Sequence, residues 1–348
     1  ISQNFMSNYI DFRSDTVTKP SPAMLEAMMN AEVGDDVFIE DPSVNQLEKM
    51  AADMFGMEAG LYCSTGTQTN QIAIKCHTRP GDEVVCDEDA HIYQYEGGGI
   101  GFNSGCSVKL LHGDYGRINA EQVLQSINNK NDVHKAYTRL VCVENTSNRG
   151  GGSCYDFEEL KKIKKVCEEN GLAFHIDGAR LFNALVAKNE TAEQYGKLFD
   201  SISICLSKSL GCPVGSVLLG TKDFIQQARR VRKVFGGGMR QAGFIAAAGI
   251  YALQNNIDRL QEDHDHAKKI AMVLDGKPFV KHVLPVQTNI IIFETNGITA
   301  PEFVAKLKAN NVLGYAIAPN RVRLVLHLDI TKDMVDRTIE LFESPSLI

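Results

Sequence analysis

Between residues 60 and 220, short apolar runs alternate with longer segments in which apolar residues recur every three or four positions. The short runs predict strands, and the longer segments predict helices. The predicted strands cover residues 60–63, 83–86, 108–112, 140–144, 173–176, 202–206 and 216–219, and the predicted helices cover residues 67–78, 120–128 and 157–170. This alternation predicts an α/β domain with a mostly parallel sheet covered by helices on both faces. Ligands of such sheets bind beyond the carboxyl ends of the strands.

The pattern changes after Thr221, where helices are predicted over residues 224–235 and 241–274. Further strands are predicted at residues 289–293, 314–317 and 322–327, and further helices at residues 301–310 and 332–342. We therefore expect a large α/β domain with an N-terminal arm over residues 6–250 and a small α+β domain over residues 251–348. His264 and His266 lie two positions apart on a predicted helix, so they point to different sides, and we expect both in solvent.

Composition excludes several classes of partner. The net charge of −7 is spread without a basic block, which argues against nucleic acid and anionic membrane surfaces. The longest apolar runs are much shorter than the roughly 20 residues that cross a bilayer. Nine cysteines without Cys-x-x-Cys spacing predict neither a disulfide framework nor a metal site and favour a reduced, cytoplasmic location. We expect no secretory segment at the start of the chain, and we expect Met6 to be the natural first residue.

Two predicted strands end next to charged residues of opposite sign. Asp177 follows the apolar run 173–176, and Lys208 follows the run 202–206. A carboxylate and a lysine at strand ends are what an enzyme needs to hold pyridoxal phosphate, because the carboxylate pairs with the ring nitrogen and the amine bonds the aldehyde. Taken singly, Asp177 would equally suit a loop cap, and Lys208 a solvated surface position.

A segment rich in hydroxyl groups at residues 64–70 follows the first predicted strand and opens a helix. Thr65, Gly66 and Thr67 would present backbone N–H groups and the positive end of the helix dipole to an anion such as a phosphate. An ordinary capped helix start explains the same residues equally well. Ser207, beside the lysine, is a further candidate phosphate donor.

Three more side chains are candidates for this site. His91 stands a few residues after a predicted strand, where its ring would lie on a cofactor face. Arg180 and Arg323 are candidates for binding a substrate carboxylate, because a guanidinium matches two carboxylate oxygens. Structural alternatives stay open: a lone histidine is often structural, and an arginine on an edge strand is often merely exposed. The sequence has neither a P-loop nor a Gly-x-Ser-x-Gly motif.

A series of motifs runs through almost the whole chain. In order, they are Asp-Phe-Arg-Ser-Asp-Thr-Val-Thr at 11–18, Gly-Asp-Asp-Val-Phe at 34–38 with Asp-Pro at 41–42, Thr-Gly-Thr at 65–67, His-Ile-Tyr at 91–93, Glu-Asn-Thr at 144–146, Asp-Gly-Ala-Arg at 177–180, Ser-Lys at 207–208, the glycine-rich run at 236–243 and the strand of Arg323. This series resembles the threonine aldolase branch of the aspartate-aminotransferase-like (fold type I) pyridoxal-phosphate enzymes. The resemblance implies a mostly parallel seven-stranded central sheet and a smaller C-terminal α+β domain.

The resemblance also implies roles for the matching residues. Lys208, Asp177 and His91 would be catalytic, as the Schiff-base lysine, the partner of the pyridine nitrogen and the group stacked on the ring. The pyridoxal-phosphate-binding residues would be Thr65, Gly66, Thr67, His91, Asp177, Arg180, Ser207 and Lys208, and the substrate-binding residues Ser14, Ser147, Arg180 and Arg323. Family members are homo-oligomers, dimers or tetramers, with sites at subunit interfaces, and Arg240 is a candidate contributor across such an interface.

One position departs from the family pattern. Where Glu-Asn-Thr-His-Asn is usual, this chain has Ser147 in place of the histidine, and serine is a poor base near neutral pH. The base for the substrate's β-hydroxyl would then be His91, a held water or another group.

The resemblance implies an enzyme that cleaves L-threonine, L-allo-threonine or related β-hydroxy-α-amino acids to glycine and an aldehyde. Ser147 motivates an alternative, a β-eliminating lyase or an aldolase for bulkier substrates. A non-catalytic pyridoxal-phosphate-binding protein is a third hypothesis.

Overall fold

The computed structural model describes residues 9–345 and Leu347. The expectation about Met6 therefore lies outside the described residues. The strands are β1 (Ile10–Asp11), β2 (Ala59–Cys63), β3 (Asp82–Asp87), β4 (Ser107–Leu111), β5 (Tyr137–Glu144), β6 (Ala173–Gly178), β7 (Ser201–Cys205), β8 (Ser216–Gly220), β9 (Val280–Val283), β10 (Ile290–Thr295), β11 (Val312–Leu313), β12 (Tyr315–Ala318) and β13 (Arg321–Val325). The α-helices are α1 (Pro22–Met29), α2 (Pro42–Phe55), α3 (Gly66–His77), α4 (His91–Gln94), α5 (Ala120–Ser126), α6 (Phe157–Asn170), α7 (Leu181–Lys188), α8 (Ala192–Gly196), α9 (Lys222–Val234), α10 (Gly243–Asn255), α11 (Leu260–Leu274), α12 (Ala300–Ala309) and α13 (Lys332–Glu343).

Seven strands form the central sheet, in the order β2-β8-β7-β6-β5-β3-β4. The pairs from β7 through β6, β5 and β3 to β4 are parallel, and β8 runs antiparallel to both of its neighbours. Alternate residues of β2 belong to different cores, since Tyr62 packs in one hydrophobic cluster and Leu61 and Cys63 in another. The prediction of a mostly parallel sheet covered on both faces is confirmed.

A second, four-stranded antiparallel sheet has the order β12-β13-β10-β9 and packs against α11 and α12. The N-terminal segment joins this part of the molecule, because β1 pairs in parallel with β11 and Ile10 and Phe12 lie in its core. The N–H of Val325 donates to the carbonyl oxygen of Phe12 at 2.8 Å. Residues 13–15 are thereby held next to β13. The domain boundaries themselves stay a prediction.

The region predicted as one helix over residues 241–274 is two helices, α10 and α11. Asn255 and Asn256 close α10, and the side-chain amide of Asn256 donates to the carbonyl oxygen of Leu210 at 2.8 Å. Asparagine is a weak helix former because its side chain competes for such hydrogen bonds. The expectation that His264 lies in solvent is also wrong: it is buried, its Nε2 lies 3.0 Å from Oδ1 of Asn183 on α7, and burial lowers its pKa to about 4.

All nine cysteines are free thiols, and eight of them are buried. Burial raises the pKa of Cys63, for example, to about 12, so this thiol behaves as a small hydrophobic side chain. In the described part of the chain, no helix has the length and apolar character needed to cross a membrane.

Candidate active site

Adjacent strand ends bring acidic residues to one edge of the central sheet. Asp177 at the end of β6 pairs in register with Glu144 of β5 and Ser203 of β7. It is buried; its Oδ2 accepts a hydrogen bond from Nδ2 of Asn70 at 2.9 Å, and its Oδ1 accepts one from the N–H of Ala179 at 3.0 Å. Burial and these two donors hold the carboxylate in one orientation.

Lys208 lies in the turn that joins β7 to β8, where the N–H of Gly211 donates to its carbonyl oxygen at 2.8 Å. The side chain is half-buried, and its ammonium group forms no hydrogen bond or ion pair with any described residue. The charge of Lys208 acts on Cys205. Burial raises the pKa of this thiol, but Lys208 and the hydroxyl of Ser207, 3.5 Å from the thiol, outweigh burial, so the pKa is lowered. An amine held at the site without a partner is free to bond an aldehyde.

The N-terminus of α3 offers unused backbone donors. Thr65 caps the helix, since its Oγ1 accepts the N–H of Gln68 at 3.1 Å. The N–H groups of Gly66 and Thr67 have no hydrogen-bond acceptor in the described part of the chain. Oγ of Ser216 lies 3.6 Å from the point that a Cβ on Gly66 would occupy, and it is shielded from solvent without a hydrogen-bond partner. The first turn of this 12-residue helix therefore suits an anion.

His91 begins α4 and is tied to two carboxylates. Its N–H donates to Oε2 of Glu144 at 2.8 Å, and its Nδ1 lies 3.0 Å from Oε1 of Glu96. Polar side-chain atoms of His91, Glu96 and Asp177 lie within 4.8 Å of one another. The imidazole is 31% exposed. The structure thus brings His91 beside Asp177 and leaves part of the ring open to a ligand.

Charge around this cluster favours protonation. Burial, together with the charge of Asp177, raises the pKa of Glu144 to about 7. Hydrogen bonds from the N–H groups of Asn148 and His91 lower this pKa, but they do not outweigh the first two effects. Burial lowers the pKa of His91, but the hydrogen bond to Glu96 and the charges of Asp177 and Glu144 outweigh burial, so the pKa is raised. A basic ring nitrogen placed here would be stabilised in its protonated form.

Arg180 is paired with a buried carboxylate from the N-terminal segment. Its Nε and Nη2 donate to the two oxygens of Asp15, both at 2.7 Å, and Oγ of Ser209 donates to Asp15 at 2.9 Å. Burial raises the pKa of Asp15, but Arg180 and Lys208 outweigh burial and hold it well below its usual range. Two of the donors of Arg180 are therefore in use, which leaves Nη1 for a ligand.

Arg323 on β13 lies close enough to Arg180 for the two charges to repel. Burial, followed by the charge of Arg180, lowers the pKa of Arg323 to about 10. Nη1 donates to Oδ1 of Asn148 at 2.7 Å and Nη2 to the carbonyl oxygen of Arg13 at 3.2 Å, whereas Nε is shielded from solvent without a partner. An anion between the two guanidinium groups would relieve both the repulsion and the unpaired donor.

Ser14 lies between these features in sequence, after Arg13 and before Asp15. It is buried, and its Oγ accepts hydrogen bonds from Thr16, from the N–H at 3.2 Å and from Oγ1 at 2.8 Å. The hydroxyl hydrogen of Ser14 stays available to an acceptor. The residues on either side of Ser14 bond the two arginines, since the carbonyl oxygen of Arg13 accepts a hydrogen bond from Arg323 and Asp15 pairs with Arg180.

Ser147 is buried in a tight turn. Its N–H donates to the carbonyl oxygen of Ser153 at 3.0 Å, and its Oγ accepts the N–H of Gly150 at 3.2 Å. A Cβ on Gly116 would lie 2.1 Å from that Oγ, so the hydroxyl occupies space left by a glycine. These contacts stabilise the turn, and the role of Ser147 toward a substrate stays a prediction.

Arg240 is not brought to the other predicted site residues of the same chain. It lies just before α10, its side chain is 56% exposed, and its Nη1 pairs with Oδ2 of Asp35 at 2.7 Å. Its carbonyl oxygen accepts the N–H of Asp36 at 3.1 Å. Arg240 therefore lies on the surface, where a contribution to another subunit stays a prediction.

Four buried polar residues of this region were not singled out from the sequence: Asp15, Asn70, Glu96 and Glu144. Asp15 and Glu144 belong to quoted motifs, so an acidic residue inside such a motif was an available signal. Asn70 ends the quoted segment 64–70 and Glu96 lies in no quoted motif, but for both only the folded chain shows the contacts with Asp177 and His91.

Comparison with known proteins identifies the relatives of this chain. A family model described as beta-eliminating lyase matches residues 11–296. A low specificity L-threonine aldolase of Escherichia coli (strain K12) is 43% identical over 327 residues, which cover 94% of this chain and 96% of that protein. The low-specificity L-threonine aldolase 1 of Arabidopsis thaliana is 40% identical, covering 97% of this chain and 96% of that protein. The structure of a Leishmania major threonine aldolase superposes with a TM-score of 0.85 at 22% identity, over 96% of this chain and 98% of that chain, which shows a shared fold.

Proposed function

The chain belongs to the beta-eliminating lyase family, and from that premise we propose that it cleaves L-threonine and L-allo-threonine to glycine and acetaldehyde. The observation that carries this proposal is the end-to-end similarity, at 40% and 43% identity, to two low-specificity L-threonine aldolases. The fold supports it, because the sheet is that of a fold type I pyridoxal-phosphate enzyme.

The residues at the strand ends fit pyridoxal phosphate as the cofactor. Asp177 would pair with its ring nitrogen, and Lys208, whose amine has no partner among the described residues, would bond its aldehyde. The unused N–H groups of Gly66 and Thr67 suit its phosphate, and Thr65 and Ser207 would be its further partners. When bound, this cofactor supplies an electron sink for the bonding pair released at Cα.

The chain's own residues would position the substrate. Ser14, Arg323 and the free Nη1 of Arg180 would hold the amino-acid carboxylate, because the two guanidinium groups repel each other and the sequence neighbours of Ser14 bond both of them. Holding the carboxylate fixes rotation about the bond between the amino nitrogen and Cα, so that the Cα–Cβ bond is the one presented for cleavage. The ring of His91 would lie on the cofactor face.

A second subunit would complete the assembly. The turn at 35–39 and the segment 232–240 pack together, since Arg232 pairs with Asp36 at 2.8 Å and Arg240 with Asp35 at 2.7 Å. This surface exposes apolar side chains, with Phe38 at 67% and Val234 at 82% exposure. Exposed apolar side chains next to the exposed side chain of Arg240 support a homo-oligomer, dimer or tetramer, in which Arg240 reaches a neighbouring site. The free thiols support a reduced, cytoplasmic location.

Incubation of the purified, pyridoxal-phosphate-loaded protein with L-threonine or L-allo-threonine should release acetaldehyde and glycine in equal amounts. Acetaldehyde is measured by coupling to an alcohol dehydrogenase, and glycine by chromatography. L-Serine serves as the control for elimination, and phenylserine for an aldolase of bulkier substrates. Pyruvate and ammonia from serine without aldehyde from either threonine would contradict the proposal and favour a β-eliminating lyase, and benzaldehyde from phenylserine alone would favour the bulkier-substrate aldolase.

A further inference from the structure

Glu96 is a fully buried carboxylate that no part of the proposed reaction has yet used. Its side chain is 0% exposed. It is surrounded by side-chain nitrogen atoms: Nδ1 of His91 at 3.0 Å and Nδ2 of Asn70 at 2.9 Å from Oε1, and Nε2 of Gln71 at 2.7 Å from Oε2. Within the described part of the chain, no lysine or arginine pairs with it. Hydrogen bonds from neutral amides and from a histidine are therefore the only contacts that stabilise this carboxylate among the described residues.

The hydrogen bonds around Asn70 fix the direction of this network. Its Nδ2 lies 2.9 Å from both Glu96 and Oδ2 of Asp177, and its Oδ1 lies 3.2 Å from Nε2 of His175. Carboxylates only accept, so the amide nitrogen must face them, and its oxygen must accept the Nε2–H of His175. Asn70 thus joins the carboxylate expected under the cofactor ring to the carboxylate that holds His91.

The same reasoning fixes the tautomer of His91. Because both oxygens of Glu96 accept hydrogen bonds from side-chain amides, Nδ1 of His91 is the donor in the 3.0 Å contact. Nε2 of the ring then bears the lone pair, and it has no hydrogen-bond partner among the described residues. With the imidazole 31% exposed, Nε2 is the atom that a bound substrate can reach.

Three charged groups face His91, each from a different element packed against it. Glu96 comes from the segment after α4, Glu144 from β5 and Asp177 from β6, and the ring of Tyr95 lies 5.7 Å from the imidazole centroid. All three charged neighbours are acidic, so they act in one direction and stabilise an imidazolium. A base in these surroundings accepts a proton readily and stays neutral only above a raised pKa.

We propose that Glu96 is a positioning residue that holds His91 with its hydrogen on Nδ1, so that Nε2 takes the proton of the substrate's β-hydroxyl. This inference rests on the proposed aldolase function. In the step, the O–H bond breaks and Nε2 gains the proton. The oxygen electron pair becomes the π bond of the aldehyde, the Cα–Cβ bond breaks, and its electron pair stays on Cα. Ser147 does not compete for the proton, because its Oγ is buried and accepts the N–H of Gly150.

Glu96→Gln tests the inference, and Glu88→Gln is a matched control. Glu88 holds Nδ1 of His112 at 2.6 Å, but that pair lies on the surface, with the two side chains 47% and 86% exposed. The pKa of each histidine is read in the full-length, cofactor-loaded protein from hydrogen–deuterium exchange at the imidazole carbon, with peptide mass spectrometry. Glu96→Gln should lower the pKa of His91 and leave that of His112 unchanged, and Glu88→Gln should do the reverse.

The pH profile supplies a second readout that a merely structural role would not move. Because loss of Glu96 lowers the pKa of His91, the acid limb of kcat/KM for L-threonine should move to lower pH in Glu96→Gln. The maximal kcat of Glu96→Gln should fall about tenfold with its KM little changed. Glu88→Gln should match the wild type in both.

Three results would overturn the inference. The first is a wild-type His91 pKa below the roughly 6.5 of an unperturbed histidine, a measurement that holds even if Glu96→Gln fails to fold. The second is an unchanged His91 pKa in a folded Glu96→Gln protein. The third is a lower kcat with an unmoved acid limb. Because the exchange measurement needs no turnover, absence of aldehyde from the wild type would reject the aldolase function and leave the Glu96–His91 pairing to be decided separately.

Discussion

Replacing Lys208 by alanine should reduce kcat for L-threonine by at least about 10³-fold, because the variant loses the amine that bonds the cofactor. The visible absorbance that this bond gives the protein should disappear with it. The fold should survive, since the ammonium group forms no hydrogen bond or ion pair with a described residue, and its removal leaves no polar partner unsatisfied. Absorbance spectra, steady-state kinetics and circular dichroism measure the three effects.

Lys164→Ala is the matched control for this variant. Lys164 is also half-buried, but it pairs with Asp200 at 3.1 Å, outside the site. The control should keep both colour and turnover. A Lys208→Ala protein that retained wild-type absorbance and rate would show that another amine does this work.

Replacing Asp15 by asparagine should destabilise the protein by about 3–5 kcal/mol, because it leaves the buried guanidinium of Arg180 without its carboxylate. Both partners are shielded, with side chains 5% and 0% exposed, so solvent cannot replace the lost pairing. Urea unfolding followed by circular dichroism measures the change. Asp53→Asn is the control, since Asp53 pairs with Lys49 at the surface and its loss should have no measurable effect.

The same variant should change how stability depends on pH. The folded state holds the pKa of Asp15 below its usual value, because Arg180 and Lys208 outweigh the effect of burial. Its stabilising contribution is therefore complete above the unfolded-state pKa of about 3.9 and is lost as pH falls toward the depressed folded value. Asp15→Asn should lose stability less steeply than the wild type below about pH 4. Equal slopes for the two proteins would contradict the assigned charge state.

Hydrophobic periodicity predicts most of the central sheet, because buried parallel strands are short apolar runs separated by amphipathic helices. All seven predicted strands of this region correspond to β2–β8, with ends that differ by a few residues. β1, β9 and β11 were not predicted, since they are short and partly exposed, and short exposed strands carry little pattern. The break between α10 and α11 depends on a contact of Asn256 with Leu210 that sequence periodicity does not encode.

The candidate site could be predicted only in part, for a related reason. Asp177 and Lys208 follow strongly apolar strands, so parallel topology alone places them at one edge of the sheet. Glu96, Asn70 and Asp15 act through partners far away in sequence: Asp15 meets Arg180 across 165 positions and Asn70 meets Asp177 across 107. Contacts of that separation are set by how the helices and the N-terminal segment dock, and no local pattern records the docking.

Reducing the loaded protein with borohydride and mapping its proteolytic peptides by mass spectrometry tests whether Lys208 carries pyridoxal phosphate. Reduction converts the bond between lysine and cofactor into a stable amine. We predict a single modified peptide, with the added phosphopyridoxyl mass on Lys208. A modification on a different lysine, or none at all in a protein saturated with the cofactor, would contradict it.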